Sequence, residues 1–367
     1  MPLYMDFHKF ENISIEAVKI AHMADMGVQE QFGVRYHQFW VNEAEGSVFC
    51  LVEGPNKETC EKVHRMAHGN VACALTEVET GLYEKMMGKD IKVDQGHVLH
   101  TDGSADLGYR NILIASVYGI TTVRSSKDLA LLLTPQWARK VIALQISASL
   151  GREIKWETDD SLIGVFDDTT TAIQCAVNIR HALLEYKNKE PQIIFKIGVS
   201  AAQPVTKDGN FFTEAIRLAH RLNVSARDNQ VLISSLVKKL CKTERLLREN
   251  SFVSSLTSAE EEFISNLLSI SEAKLADLEF GLNDLCSKIC ISRPQLYRKI
   301  KSITGRSPND FIHDLRMSKA LALLKQKRGN ITEIAFETGF NSPSYFTKCF
   351  SEKFGCTPSL FAKSNVA

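Results

Sequence analysis

The sequence predicts a multidomain chain: an α+β domain, then an α/β domain, then an all-α domain. Three observations lead there. The chain has 367 residues, enough for two or three domains. Strand-like alternation and helical stripes interleave up to about residue 240, after which the apolar residues keep helical spacing. The net charge is only +1, yet the first eighty residues are acidic and the last hundred basic. At 44% apolar and 24% charged, the composition is that of an ordinary soluble globular protein. The boundaries this implies are a domain over 1–80, a linker over 81–108, a domain over 109–240, a linker over 241–262 and a domain over 263–367.

In the first eighty residues, Leu3–His8 reads as a strand and Ser14–Phe32 as a helix capped by Ser14. Val34–Asn42 and Ser47–Glu53 read as strands joined by a turn at Glu43–Gly46. Asn56–Gly69 is a second helix and Val71–Val78 a last strand. The order βαββαβ is ferredoxin-like. Cys60, His64 and His68 fall four apart and share one helix face. His22 and Asp25 lie one turn apart on the first helix, His37 sits mid-strand and His8 closes the first strand. Imidazole clusters suit zinc, copper or nickel, and a thiolate biases toward softer ions.

The stretches YMDFHKF, GVRYHQFWVNE, VFCLVEGPNKET and VHRMAHG resemble a small family of bacterial nickel-binding proteins of ferredoxin-like fold. The resemblance implies a divalent transition metal, nickel first and zinc or copper as alternatives. It carries His37 over as the strand-borne ligand, with His64 and His68 as helical partners. His8, His22, Asp25 and Cys50 follow them.

Residues 81–108 intersperse glycines with Asp and Lys and read as a linker in which His97 and His100 are solvated. The middle domain reads as a strand at Asn111–Tyr118, helix over much of Ser126–Leu150, and a hairpin of Arg152–Glu157 with Ser161–Phe166. A helix Thr169–Lys187, strand Gln192–Ala201, helix Glu214–Val224 and strand Gln230–Ser234 follow. ILIASVYGIT, GREIKWETDDSLIGVFDD, FKIGVSAAQPV and EAIRLAHRLNVSA resemble the class III nucleotide cyclase domain. That chemistry needs two carboxylates to hold two metal ions, plus an Asn and an Arg that stabilise the transition state. By the resemblance, Ser116 stands at the first carboxylate position and Asp160 at the second. Arg217 replaces the Asn, and Arg221 keeps the Arg. One carboxylate is a poor two-metal clamp, so the domain is expected to be a non-catalytic cyclase-like body. Asp160 and Arg221 remain candidate nucleotide contacts.

The C-terminal stretch reads as two helix-turn-helix units joined by one helix. In the first, Leu278, Leu282 and Leu285 form the apolar stripe, and Cys290 and Ile291 the turn. Ser292 caps a helix that presents Arg293, Gln295, Arg298 and Lys299. In the second, Asn330 and Glu333 form a capping box and Gly339 the tight turn. Asn341 and Ser342-Pro343 lead into a helix bearing Ser344, Tyr345 and Lys348. Arg reads guanine and Gln reads adenine through paired hydrogen bonds in the major groove. From Lys288 to Arg328, lysines and arginines far outnumber Asp310 and Asp314, the two acidic residues there. That is a phosphate-binding surface, with Lys319 and Lys325 as non-specific contacts. ITEIAFETGFNSPSYFTKCFSEKFGCTPSLF resembles the signature of AraC/XylS-family transcription regulators, and the likeness extends from Glu262 to Lys363. It implies sequence-specific binding of double-stranded DNA, as a homodimer, with the effector sensed elsewhere in the chain.

Nine cysteines occur without CxxC pairs, and no stretch reads as a signal peptide or a membrane span. A cytoplasmic location and no membrane partner are therefore expected. The reading is a non-enzymatic transcription regulator controlled by metal, with a small molecule or nucleotide as a further effector. A nucleotide cyclase, or a nucleotide-binding regulator with a DNA-binding output, is the alternative.

Overall fold

A computed structural model of the chain describes residues 1–89, 91–120, 136–154, 161–185, 192–205 and 210–364. It divides into two compact units. The first comprises Met1–Ile112, Val165–Thr169 and Ala201–Arg217; the second comprises Leu113–Gly164, Thr170–Ser200 and Leu218–Ala367.

The first unit opens with β1 (Leu3–Lys9), α1 (Ile15–Val28), β2 (Arg35–Asn42), β3 (Ser47–Glu53), α2 (Lys57–Ala67) and β4 (Ala74–Val78). This is the expected order. Ser14 caps α1 and Asn56 caps α2, each side chain accepting from the amide three residues on. Past Val28 the expected longer helix tightens into a 3-10 turn over Gln29–Phe32 that ends at Gly33. The strands run β4-β1-β3-β2, with β1 antiparallel to both β3 and β4.

The segment expected to be a linker over 81–108 is instead part of this fold. It holds α3 (Thr80–Met87), β5 (Lys92–Asp94) and β6 (His97–Leu99), and β6 and β5 extend the sheet beyond β2. Tyr83, Met86 and Met87 give α3 a buried face. The glycines mark tight turns rather than looseness: Gln95 and Gly96, between β5 and β6, both take positive φ, the geometry of a two-residue hairpin. His97 is therefore buried and stacked on Phe39, not solvated.

A second six-stranded sheet follows. Its elements are β7 (Arg110–Ile120), α4 (Gln136–Ala148), β8 (Arg152–Ile154), β9 (Leu162–Phe166), α5 (Thr169–Glu185), β10 (Gln192–Ala202), α6 (Thr213–Ser225), β11 (Gln230–Ile233), α7 (Ser235–Leu240), α8 (Glu244–Glu249) and β12 (Val253–Ser255). The strand order is β12-β11-β10-β7-β9-β8, with β10, β11 and β12 mutually parallel. The segment 241–262 is not a plain linker, because it supplies α8 and the edge strand β12. The hydrophobic pattern of a three-residue, serine-rich strand is too short to stand out from a loop.

The C-terminal helices are α9 (Ser258–Lys274), α10 (Leu282–Ile289), α11 (Arg293–Thr304), α12 (Pro308–Lys325), α13 (Ile331–Glu337), α14 (Pro343–Phe354) and α15 (Pro358–Ser364). The α+β, α/β and all-α organisation is thus present. Leu278 does not belong to the first stripe: it is 46% exposed and precedes α10, which starts after Gly281. Capping boxes at Ser292 and Asn330, and Ser307 before Pro308, set the helix starts. At the second turn Gly339 has φ +79°, and a Cβ there would stand 2.2 Å from the Leu275 carbonyl oxygen. Only glycine fits.

Two apolar clusters serve these helices. One joins Phe263, Leu267, Leu285, Leu296, Ile300 and Phe311 to Leu222 and Ala226 of α6 and Leu232 of β11. The other holds Met317, Leu321, Ile334, Phe340, Phe346 and Phe350. The first helix-turn-helix unit therefore shares its core with the middle region, whereas the second closes a core of its own. Among the described residues, no helix is long and apolar enough to cross a membrane.

Candidate functional site

The titratable cluster of the first unit is built where β1, α1 and α2 meet. Strand alternation sends Tyr4, Asp6 and His8 to one face of β1, and Asp6 lies opposite Cys50 of β3. Helical spacing turns Val18, His22 and Asp25 of α1 inward, and Cys60, Val63 and His64 of α2 likewise. His68 ends α2 as its C-cap.

His64 is the centre. Its Nε2 lies 2.9 Å from Asp6 Oδ2, and its Nδ1 lies 3.3 Å from Asp25 Oδ1 and 3.2 Å from His68 Nε2. His68 Nε2 is 3.2 Å from Asp25 Oδ2, and His8 Nε2 is 3.4 Å from Asp6 Oδ2. Asp6 Oδ1 accepts the Cys50 amide at 2.6 Å. Two groups with metal-ligand geometry result, Asp6–His8–His64 and Asp25–His64–His68, and His64 belongs to both. A cavity of about 120 Å³ opens here, lined among others by His8, His22, Asp25, Cys50, His64 and His68.

The electrostatics follow from burying two carboxylates among imidazoles. Burial opposes charge on His64, but Asp25 and Asp6 outweigh it and push the imidazole up to about 10. Against the same burial, His8 and His64 hold Asp6 well below the usual carboxylate range, and His64 and His68 lower Asp25. Burial pushes the Cys50 thiol up and the His22 imidazole down. Both ring nitrogens of His22 are buried without a hydrogen-bond partner, although a neutral imidazole always carries one N–H. A donor set of carboxylates and imidazoles around a small cavity, with positive charge demanded and one imidazole unsatisfied, fits a divalent transition metal.

The structure does not bring every predicted metal residue together. His37 stands apart. The β2–β3 register shifts between Tyr36 and Gln38, so Tyr36 and Phe39 both join the helix-side cores and His37 falls in the bulge. Its Nε2 lies 3.4 Å from Glu53, away from the cavity lining. Asp6 is the residue that sequence reasoning missed. The signal was its i, i+2 spacing from His8 on an alternating strand.

In the C-terminal region Arg293, Gln295, Arg298, Lys299, Asn341, Ser344, Tyr345 and Lys348 are all exposed on or beside α11 and α14. Several have local duties that the sequence did not disclose. Gln295 Oε1 accepts from the Ser292 amide and hydroxyl, completing the capping box. Arg293 donates to Asn283, and the Lys299 ammonium lies 4.9 Å over the Phe263 ring. Lys319 donates to the Glu337 carbonyl, so it caps α13 instead of standing free for phosphate.

In the middle region the buried Ser116 hydroxyl donates to Asn223, which in turn donates to the carbonyls of Ile114 and Lys196. Arg217 pairs with Glu214, and Arg221 donates to Ser269 of α9 at 2.7 Å. Asp160 lies outside the described residues.

Comparison with known proteins matches residues 285–364 to a family model described as a helix-turn-helix domain. Residues 4–78 match one described as nickel responsive protein SCO4226-like. The transcriptional activator RhaS of Mannheimia succiniciproducens is 36% identical over 80 residues, 22% of this chain and 30% of that protein. The crystal structure of SCO4226 from Streptomyces coelicolor is 35% identical, covering 21% of this chain and 94% of that one, with a TM-score of 0.20. An adenylate/guanylate cyclase/hydrolase from Silicibacter pomeroyi is 24% identical, covering 36% of this chain and 78% of that one, with a TM-score of 0.30. The chain spans 8% to 40% of the length of the curated relatives it matches. Two of its segments are thereby assigned: a helix-turn-helix domain at the C-terminal end and a domain of the nickel-responsive SCO4226-like type near the N-terminus.

Proposed function

We propose that this protein is a sequence-specific DNA-binding transcription regulator whose affinity for DNA is controlled by a divalent transition metal, nickel first. The shared position of His64 between Asp6 and Asp25 is the observation that carries the metal reading. Asp25, His64 and His68 would hold the ion, with His22 beside them, Asp6 backing the far nitrogen of His64 and His8 in turn against Asp6. An ion so held supplies charge neutralisation and a fixed geometry, not a reaction. The middle region is read as non-catalytic, because Ser116 stands where a carboxylate is needed, and Ser116, Arg217 and Arg221 are engaged with Asn223, Glu214 and Ser269.

Metal acts as an effector only if it binds one arrangement of the protein more tightly than another. Duplexes selected by the full-length protein from a random pool should therefore bind with a different affinity when nickel is titrated in, by about 5- to 150-fold. Fluorescence anisotropy at fixed salt measures this. Equal affinity with and without saturating nickel would overturn metal control and leave DNA binding standing.

The reading heads have their own test. Arg298 has an exposed guanidinium on α11. Arg298→Ala should cost about 1–3 kcal/mol and relax preference at one base-pair position. Lys288→Ala, at the exposed end of α10, should weaken all duplexes alike and lower the salt slope by about one. Competition with single-base variants of the selected duplex separates the two.

A further inference from the structure

The way the second helix-turn-helix unit is attached singles out one carboxylate. The first unit is anchored by an apolar core that includes α6 and β11, while the second has its own core. Between them, midway along α12, stands Asp314. Its Oδ2 accepts from Arg306 Nη1 at 3.2 Å, and its Oδ1 accepts from the Lys353 ammonium in the last turn of α14.

Arg306 reaches the other way as well. Its Nη2 donates to the carbonyl oxygens of Val224, Ser225 and Ala226 at 2.8, 3.4 and 3.3 Å, which close the C-terminal end of α6. Its guanidinium lies 5.1 Å from the Phe311 ring centre. A cation at a helix C-terminus is favourable, and the five N–H groups of a guanidinium allow it to serve carbonyls and a carboxylate together. A continuous polar chain thus runs from the end of α6 through Arg306 and Asp314 to the end of α14. Side-chain exposures are 18% for Arg306, 31% for Asp314 and 29% for Lys353. Partly buried pairs that form a network are screened less than isolated surface pairs.

We propose that Asp314 is a positioning residue that sets the second reading head against the first, with Arg306 tying the end of α6 into the same linkage. The role in DNA reading rests on the function proposed above; the linkage itself does not. In α14 the clamp is at one end, while Ser344, Tyr345 and Lys348 lie toward the other. Loss of the clamp frees the tilt of the helix without removing any group that would touch DNA.

The test uses the full-length protein and two readouts. Asp314→Asn keeps the shape and removes the charge; Lys353→Met removes the distal cation. Hydrogen exchange without DNA should show amides of α13 and α14 exchanging about tenfold faster in either variant, α11 unchanged, and no further increase in the double variant. On a duplex selected by the wild type, hydroxyl-radical footprinting should show the protection of one half-site kept and the other lost, with affinity about tenfold weaker. Arg306→Met should additionally speed exchange at Val224–Ala226; if only α14 responds, the tie to α6 is wrong. Unchanged α14 exchange in Asp314→Asn, or a rise spread evenly over all helices, overturns the positioning role. A wild type that selects no duplex overturns the DNA reading, while the exchange arm still decides the role of Asp314.

Discussion

Replacing His64 by alanine is expected to strip the protein of bound transition metal and to destabilise its first unit. His64 is a member of both ligand groups, so no other single change touches as much of the cluster. Removing a group that merely supports a metal ligand costs 10–100-fold in affinity, so loss of this ligand should cost at least about 100-fold. The stability cost has a separate origin. Asp6 and Asp25 are nearly inaccessible to solvent, and His64 is the imidazole that both share, with His8 also lowering Asp6 and His68 also lowering Asp25. Without it they are buried carboxylates short of a counter-charge, a situation that costs about 3–5 kcal/mol when one partner of a buried pair is removed. Adding Asp6→Asn to His64→Ala should recover part of the stability and none of the metal. Elemental analysis and urea denaturation of the apo-protein read the two effects apart. Wild-type nickel content in His64→Ala would sink the assignment. His68→Ala should weaken metal binding with a smaller stability cost, because His68 is partly exposed and, among the described carboxylates, pairs with Asp25 alone.

Arg110→Met is the second large effect, and it falls on the fold alone. Arg110 is 1% exposed and gathers Asp106 through two hydrogen bonds at 2.8 and 3.1 Å. It also donates to the carbonyls of Met87 and Tyr109. Its Nε lies 3.0 Å from Asp167, close enough to pair charges though not aligned as a hydrogen bond. Asp106 also accepts from the Trp40 indole and the Gly108 amide, so it cannot swing out to water without breaking the packing around them. Methionine fills the space and leaves that carboxylate unpaired, for an expected loss of about 3–5 kcal/mol. Asp106→Asn in the same background should return much of it. A urea midpoint for Arg110→Met that implies less than about 1 kcal/mol of loss would mean that Asp106 finds another partner.

The parts of this fold that the sequence disclosed are those written in local chemistry. Ser14, Asn56, Ser292 and Asn330 each cap a helix where the side chain and the following residues said a helix should start. The six elements of the first eighty residues were legible because alternation and helical stripes there are long. What stayed hidden depends on partners far along the chain. Strands β5, β6 and β12 have only three residues each and exist through pairing with β2 and β11. Within the candidate site, His22, Asp25, His64 and His68 were legible from helical spacing. His37 came from the family resemblance, and the sequence did not disclose the bulge that sets it apart from these four. Asp6 was overlooked because an acidic residue in an apolar strand resembles a solvent-facing position until the helices that cover it are known. Gln295 shows the same limit from the other side: a long amide near a helix start suits a base edge and a capping box equally well, and the structure uses it for the cap.

The apolar cluster that unites α6 and β11 with α9, α10 and α11 has a consequence for how such a protein can be taken apart. Modular regulators are commonly pictured as beads that recombine at the string between them. Here the string is absent on one side, because Phe263, Leu285 and Phe311 bury against Leu222, Ala226 and Leu232. A fragment cut at the start of α9 carries half of a core, and the middle region left behind carries the other half. Transplanting the output of this chain onto a foreign sensor would therefore require moving α6 and β11 with it, whereas α13–α15 would have to take with them only the second half of α12, whose Met317, Leu321 and Leu324 complete their core.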